Sequence, residues 1–330
     1  MKDNILITGG AGYIGSKLSY DLTDKGYNVV VVDNLSTGSK KLINPKVKFI
    51  KANILDKKKI FAVIKKYKTK IIFHLAASLD VNESMIDPIK YYLNNVVGTE
   101  SLIKDASKKN LIKKVIFSST CAVYGDVKKK FVNETHECSP VSHYGKSKFL
   151  SEILLKNYSK EYNFSVAILR YFNVIGADQS LRSGIINDSN QLVKKLNRNT
   201  IKKNYEIDIY GNDYNTKDGT CIRDYIDVND LSNIHIDVMK NLKKNQSVTL
   251  NCGYKNGYSV NDIVDNFEKC IDHKITRKIK KRRLGDIESI VSNNLKLVKF
   301  IKKQYRGDLT NSLVNSIKWE KKIKKGSKFK

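Results

Sequence analysis

Glycines stand at positions 9, 12 and 15 of Thr8-Gly9-Gly10-Ala11-Gly12-Tyr13-Ile14-Gly15, directly after the apolar run Ile5-Leu6-Ile7 and at the start of a segment with helical periodicity. A strand that passes through a glycine turn into a helix opens a parallel βαβ unit. Glycine lets the backbone turn tightly and approach a pyrophosphate, and the helix that follows offers free N–H groups and a partial positive pole. The spacing alone is equally met by a tight turn. What adds weight is Asp33, eighteen residues beyond Gly15 at the end of the next apolar run. A carboxylate there accepts hydrogen bonds from an adenosine ribose and repels a 2′-phosphate, which favours NAD over NADP. The alternative for Asp33 is an ordinary surface turn residue.

The rest of the first half continues in the same rhythm. Strands are expected at Ile5–Thr8, Asn28–Asp33, Val47–Ala52, Ile71–Leu75, Val115–Ser118 and Val166–Arg170, with a helix over Tyr13–Lys25 and helical periodicity between the later strands. Strands separated by crossover helices predict an α/β fold, a Rossmann-type doubly wound parallel sheet. After Asn173 the pattern loosens: an extended segment is expected over Thr220–Val228, a helix over Val228–Leu242 and a strand over Val248–Cys252. The expected division is a Rossmann domain over 1–172, to which the chain returns around 225–252, and a smaller C-terminal α/β substrate lobe drawn mainly from 173–330.

Composition narrows the class of protein. With 330 residues, 41% of them hydrophobic, the chain can bury one large core with a subsidiary lobe. No apolar stretch approaches the length of a membrane span, and a strand beginning at Asn4 leaves no room for a signal peptide. Five cysteines without paired spacing read as reduced thiols, which suits the cytoplasm, and the five histidines show no metal-ligand spacing, so no metal is expected. The net charge of +28 raises the question of a polyanionic partner, but only eight of the 61 basic residues are arginine and the lysines are spread in short runs. That pattern reads as a solvated surface, and neither nucleic acid nor an integral membrane contact is expected. The stretch Lys321–Lys330 reads as a frayed polar tail.

Tyr144-Gly145-Lys146-Ser147-Lys148 sets a tyrosine and a lysine four residues apart, and a helix expected over Ser147–Tyr158 brings both to one face. A phenol is a poor base at neutral pH; a cation beside it, together with the nicotinamide's positive charge, favours phenolate and lowers its pKa. In a chain rich in both residues the pair also arises by chance. Its context is the run Val115–Gly125, a buried strand that ends in Ser118-Ser119-Thr120. Ligands of open α/β sheets bind beyond the carboxyl ends of the strands, so Thr120 is placed to hydrogen-bond the oxygen being oxidised.

These segments, with Val32-Asp33-Asn34-Leu35, His74-Leu75-Ala76-Ala77, Tyr91-Tyr92-Leu93-Asn94-Asn95-Val96, Leu169-Arg170-Tyr171-Phe172-Asn173, Ile209-Tyr210-Gly211-Asn212-Asp213-Tyr214 and Asp218-Gly219-Thr220-Cys221-Ile222-Arg223-Asp224-Tyr225-Ile226, resemble the UDP-glucose 4-epimerase branch of the extended short-chain dehydrogenase/reductase family over nearly the whole chain. The resemblance implies NAD-dependent interconversion of UDP-glucose and UDP-galactose in a homodimer. Tyr144 takes the proton from the sugar 4-hydroxyl, Lys148 tunes Tyr144 and contacts the nicotinamide ribose, and Thr120 supports the 4-oxygen. It further implies cofactor contacts at Gly9, Gly12, Tyr13, Ile14, Gly15, Asp33, Asn34, Asn53, Ile54, Leu75, Ala76, Ala77, Asn94 and Phe172. Substrate contacts are implied at Asn173, Gln191, Leu192, Tyr210, Arg223, Arg283, Asp286 and Ile290. Guanidinium forks suit phosphate oxygens and stack on flat rings, which gives Arg223 and Arg283 an independent rationale.

Three positions depart from the family pattern. Asn53 replaces an aspartate that meets the adenine amino group, although its amide oxygen still accepts such a bond. Val193-Lys194-Lys195 follows Gln191-Leu192 where a proline is usual, and Ile290 stands at the sugar-pocket position, where neither a bulky aromatic nor a small residue is present to decide the substrate. UDP-GlcNAc and UDP-glucuronate therefore stay open as alternative substrates. Dehydration is disfavoured, because Cys121-Ala122 replaces the acidic residues that dehydratases carry after the threonine. A non-catalytic basic NAD-binding or nucleic-acid-associated protein is the remote alternative; a pure binding module has no use for the Thr120, Tyr144 and Lys148 set.

Overall fold

The computed structural model describes residues 3–127, 129–283 and 285–326. Its centre is a seven-stranded, fully parallel sheet built from β1 (Asn4–Thr8), β2 (Val29–Asp33), β3 (Lys48–Lys51), β4 (Thr69–His74), β5 (Lys114–Thr120) and β6 (Ser165–Tyr171), closed at one edge by a late strand. β2 (Val-Val-Val-Val-Asp) is buried at every position, as a strand covered on both faces must be. The strands at 4–8, 29–33, 48–51, 69–74, 114–120 and 165–171 fall where the sequence places them, within two residues at each end.

Crossover helices cover both faces. On one side α2 (Lys57–Lys66), α5 (Gly98–Lys108) and α6 (His143–Tyr162) bury Ile60, Val63, Leu102, Ile103 and Leu155 against Leu6, Val30, Ile72, Phe117 and Ile168. On the other side α1 (Tyr13–Asp24) and α8 (Val228–Asn241) bury Leu18, Leu22, Leu231, Ile234 and Val238 against Ile5, Val31, Phe73, Ile116 and Leu169. Between β4 and α5 the chain makes α3 (Val81–Ile86), α4 (Pro88–Tyr91) and a π-helical stretch, Tyr92–Val97. π-Helical turns are rare and concentrate at functional sites.

Beyond β6 the chain leaves the main sheet. β7 (Asn173–Ile175), α7 (Leu192–Ile201) and β8 (Glu206–Tyr210) lead to β9 (Ile222–Asp227), the centre of a second sheet. β9 pairs parallel with β7, antiparallel with β11 (Gly257–Ser259) and parallel with β13 (Ser289–Ile290), while β12 (Thr276–Lys280) pairs parallel with β8. The edge strand β10 (Ser247–Cys252) returns to the main sheet beside β6. α9 (Val260–Ile271), α10 (Leu295–Ile301) and α11 (Leu309–Lys325) complete the chain. The extended segment around residue 225 thus belongs to the small sheet, and the return to the main body is made by α8, β10 and α10. Residues 321–325, expected as a frayed tail, are the last turns of α11 instead. Trp319 is buried against Leu42 and Ala177, with Ile323 one turn on packed beside it, and that apolar pair holds the helix down. The remainder of the expected tail, 327–330, lies outside the described residues.

Candidate active site

The glycine loop follows β1 without a break. Gly9 has φ +73°, and a Cβ there would lie 2.7 Å from Ala76 N; at Gly15 it would lie 2.3 Å from Gly9 O. Both positions therefore exclude a side chain, one by backbone conformation and contact and the other by contact with the loop itself. α1 begins with Gly12 as its N-cap, with no side-chain cap and no acidic residue in its first turn. Its first N–H groups are left for an anion at the positive end of the helix. Asp33 Oδ2 accepts Ala11 N at 3.0 Å and Oδ1 accepts Leu35 N at 2.7 Å, which leaves each oxygen one lone pair for a ribose hydroxyl. The loop and its carboxylate fit a dinucleotide.

Of the other residues expected around the cofactor, Asn34, Asn53, Leu75 and Phe172 follow the carboxyl ends of β2, β3, β4 and β6. Leu75 N donates to Thr8 O at 3.1 Å, which carries Leu75, Ala76 and Ala77 past the glycine loop. Ile14 is half-buried against the core, and Ile54 is buried where a Cβ on Gly98 would meet it at 2.6 Å. Asn34 and Asn53 each turn a side-chain oxygen onto the backbone two residues on, Ser36 N and Leu55 N, both at 3.0 Å. Asn94 Nδ2 donates to Ser78 Oγ at 3.2 Å. Tyr13 differs from the others, because its hydroxyl donates to Gly176 O at 2.7 Å and its side chain ties the glycine helix to the second lobe. Phe172 is buried with Val123, Tyr124, Val132 and Ile290.

α6 starts at His143, earlier than expected, because Ser142 caps it through Gly145 N at 3.1 Å. Tyr144 thereby sits in the first turn and Lys148 one turn on. The Tyr91 ring meets Tyr144 edge-on at 6.4 Å, and the Lys148 ammonium lies 4.5 Å over the Phe117 ring. Burial pushes the Tyr144 phenol up to about 12, against a hydrogen bond with Thr120 that pulls it down. Burial pushes Lys148 down to about 7, with Glu152 pulling the other way. Both groups lose hydration together, which raises the phenol and lowers the lysine. His74, pushed to about 3 by burial and then by Lys148, is a neutral bridge between Thr8 Oγ1 at 2.7 Å and Thr99 Oγ1 at 2.9 Å.

Across the crevice, β9 and the 282–290 segment present cations. The Arg283 guanidinium lies 3.7 Å over the Tyr210 ring, and Arg282 lies 4.0 Å over Tyr214 while pairing with Asp213 at 2.8 Å. Arg223 donates to Ile222 O at 2.9 Å and faces Asp286 at 3.8 Å. Ile290 is paired with Arg223 in strand register and is 3% exposed. Asn173 opens β7 with its side chain exposed, Gln191 is the N-cap of α7, and Leu192 is packed on the small-lobe core. Among the described residues no group of three or more His, Cys, Asp or Glu could hold a metal ion, and no helix is long and apolar enough to cross a membrane.

Sequence reasoning gave no role to Glu152, Arg170 or Ser119, which form a buried cluster directly behind the pair on α6. Spacing offered a signal. Glu152 is four residues beyond Lys148, on the same helix face.

A glycine loop at a helix N-terminus, an acid at the end of the second strand and a Tyr–Lys pair beside a strand-end threonine define a Rossmann-type enzyme that oxidises or reduces at a hydroxyl-bearing carbon. Residues 5–253 match the model of the NAD dependent epimerase/dehydratase family, and the chain belongs to that family. It is 38% identical over 296 residues to the UDP-glucose 4-epimerase of Rhizobium meliloti, covering 89% of this chain and 90% of that one. Its fold is similar to that of UDP-glucose 4-epimerase from Bifidobacterium longum in complex with NAD+ and UDP, with a TM-score of 0.91, 32% identity and coverage of 97% and 98%. It is also similar to UDP-glucose 4-epimerase from Stenotrophomonas maltophila with bound NAD and formylated UDP-arabinopyranose, with a TM-score of 0.92, 29% identity and coverage of 98% and 99%.

Proposed function

We propose that the protein interconverts UDP-glucose and UDP-galactose by reversible oxidation at C4. The observation that carries this reading is the hydrogen bond between Thr120, at the end of β5, and Tyr144 in the first turn of α6, with Lys148 one turn on. Bound NAD, held by the glycine loop and Asp33, supplies the acceptor and donor of the hydride. Tyr144 receives the proton of the 4-hydroxyl, Thr120 hydrogen-bonds the 4-oxygen, and Lys148 contributes positive charge beside the phenol. C4 thus loses a hydride and its oxygen a proton; the 4-keto sugar turns and regains both on its opposite face. Arg223 and Arg283 supply cationic donors for the diphosphate, so the nucleotide stays anchored while the sugar turns. Formation of UDP-galactose from UDP-glucose with NAD present tests the reading.

The same helices suggest the assembly. Leu93 and Val97 on the π-helical stretch, and Leu150 and Ile153 on α6, are 41–49% exposed, and Ile86 and Ile89 beside them are 85% and 68% exposed. α3, α4, α6 and the π-helical stretch pack on one another, and we take these side chains as one apolar face spread over the four elements. A second copy of the chain presents the same face, and a two-fold pairing buries both at once. A homodimer is therefore the proposed form of the enzyme, and the unpaired cysteines make the cytoplasm its proposed location.

A further inference from the structure

Three catalytic groups come from two elements that nothing in the backbone ladder joins. Thr120 ends a strand of the main sheet, whereas Tyr144 and Lys148 ride on α6, a helix laid across that sheet. Apolar packing alone tolerates small slides and rotations of a helix over a sheet, and a shift of about 1 Å at a reacting centre can cost a hundredfold in rate. Directional bonds are needed to fix the register.

Glu152 supplies them. It is fully buried on α6, one turn beyond Lys148 and two beyond Tyr144. One carboxylate oxygen accepts Ser119 Oγ at 2.5 Å, from the residue next to Thr120, and also Arg170 Nε at 3.0 Å. The other accepts Arg170 Nη2 at 2.6 Å. Arg170 lies on β6, 3% exposed, with its guanidinium 4.7 Å over the Tyr124 ring. One carboxylate thus grips both strands beneath the helix, with the bidentate geometry that gives an arginine–carboxylate pair its directionality. A buried ion pair is weak evidence for stability and is better attested as a device for specifying geometry.

We infer that Glu152, braced by Ser119 and Arg170, is a positioning residue that sets Tyr144 and Lys148 against Thr120. It touches neither sugar nor cofactor and acts through the helix. Among the described residues, the charged and titratable groups set by Lys148 are Tyr144 and Glu152, one turn either way on its own helix, and His74 from β4, and Glu152 is the carboxylate among them. Removing that anion lowers the affinity of Lys148 for its proton as well as loosening the brace.

The inference rests on the proposed C4 epimerisation, so the parent enzyme is assayed alongside on UDP-glucose with NAD; an inactive parent overturns the epimerase reading itself. In Glu152→Gln the expected result is a ten- to a hundredfold loss of kcat, of the order that misplacement by about 1 Å brings. KM for UDP-glucose and the Kd for NAD are expected to stay within about twofold, because those contacts lie outside the brace. The alkaline limb of the kcat profile is expected to move to lower pH. In the protein without substrate, the ammonium resonance of Lys148, assigned by its loss in Lys148→Met, is expected to titrate at lower pH than in the parent. A folded Glu152→Gln enzyme with parental kcat overturns the inference, as does one that loses activity only in proportion to its unfolded fraction with an unmoved pH profile. Ser119→Ala removes one bond and keeps the ion pair, so it answers the question even if Glu152→Gln does not fold. A severalfold fall in kcat with an unshifted pH profile supports the brace, and an unchanged kcat overturns it.

Discussion

Asp33 Oδ2 accepts the backbone N–H of Ala11 at 3.0 Å, so the end of β2 and the glycine loop form one hydrogen-bonded unit. The same carboxylate shapes the glycine loop and keeps a lone pair on each oxygen for the proposed ribose contact. Replacing it removes both functions at once. Asp33→Ala is expected to raise the Kd for NAD at least about tenfold, the equivalent of losing one or two hydrogen bonds to a charged group. Cofactor titration by fluorescence measures it, with NADP in parallel, where the loss is expected to be smaller because a repelled 2′-phosphate is relieved.

Tyr144→Phe removes the hydroxyl and keeps the ring that packs on Tyr91. Loss of a general acid–base group costs about a hundred- to ten-thousandfold, and kcat is expected to fall by that amount while NAD still binds. Steady-state turnover on UDP-glucose and an NAD titration on the same preparation separate the two effects. Near-parental turnover removes Tyr144 from the role of base.

Acid stability offers a structural test at the junction of the two lobes. Burial raises the pKa of Asp178, but hydrogen bonds from Arg182 and Lys17 overcome it and hold the carboxyl at about 2, below its ordinary 3.8. A carboxylate depressed on folding contributes stability that is fully present above its unfolded pKa and is lost as pH falls through its folded one. Between pH about 4 and 2 the parent is therefore expected to lose about 2 kcal/mol that Asp178→Asn does not lose. Urea unfolding across that range measures the difference.

The proposed assembly is tested on its apolar face. A charge at Leu150, itself 44% exposed, costs the monomer little but cannot be buried unpaired in an isologous contact. Leu150→Glu is expected to run as a monomer by sedimentation or light scattering, with the parent as a dimer. A monomeric parent contradicts the proposal.

The main sheet was legible because its strands are short apolar runs such as Val29–Val32, each closed by a turn residue or a helix start, and because the glycine loop announces its own geometry. The second lobe was less legible. β9 is a six-residue strand whose two halves pair with different partners, and no periodicity in Ile222–Asp227 distinguishes a strand of the main sheet from one of its own. The start of α6 was missed because Ser142-His143-Tyr144-Gly145 carries a cap whose effect shows only in the Ser142 to Gly145 bond. The burial that dominates the titration of Tyr144 and Lys148 was not legible either, because residue types give the sign of a neighbouring charge whereas burial is a property of the packed fold. Glu152 and Arg170 lie eighteen residues apart in sequence, and their pairing depends on α6 lying across β6.

The decisive measurement is a substrate panel with the purified enzyme and added NAD: UDP-glucose, UDP-GlcNAc and UDP-glucuronate, each scored by NMR for its C4 epimer. UDP-glucose is expected to approach an equilibrium mixture with UDP-galactose, without net consumption of NAD and faster than either other sugar is converted. Enzyme that binds NAD yet forms no UDP-galactose, or that epimerises only UDP-GlcNAc or UDP-glucuronate, contradicts the proposed function.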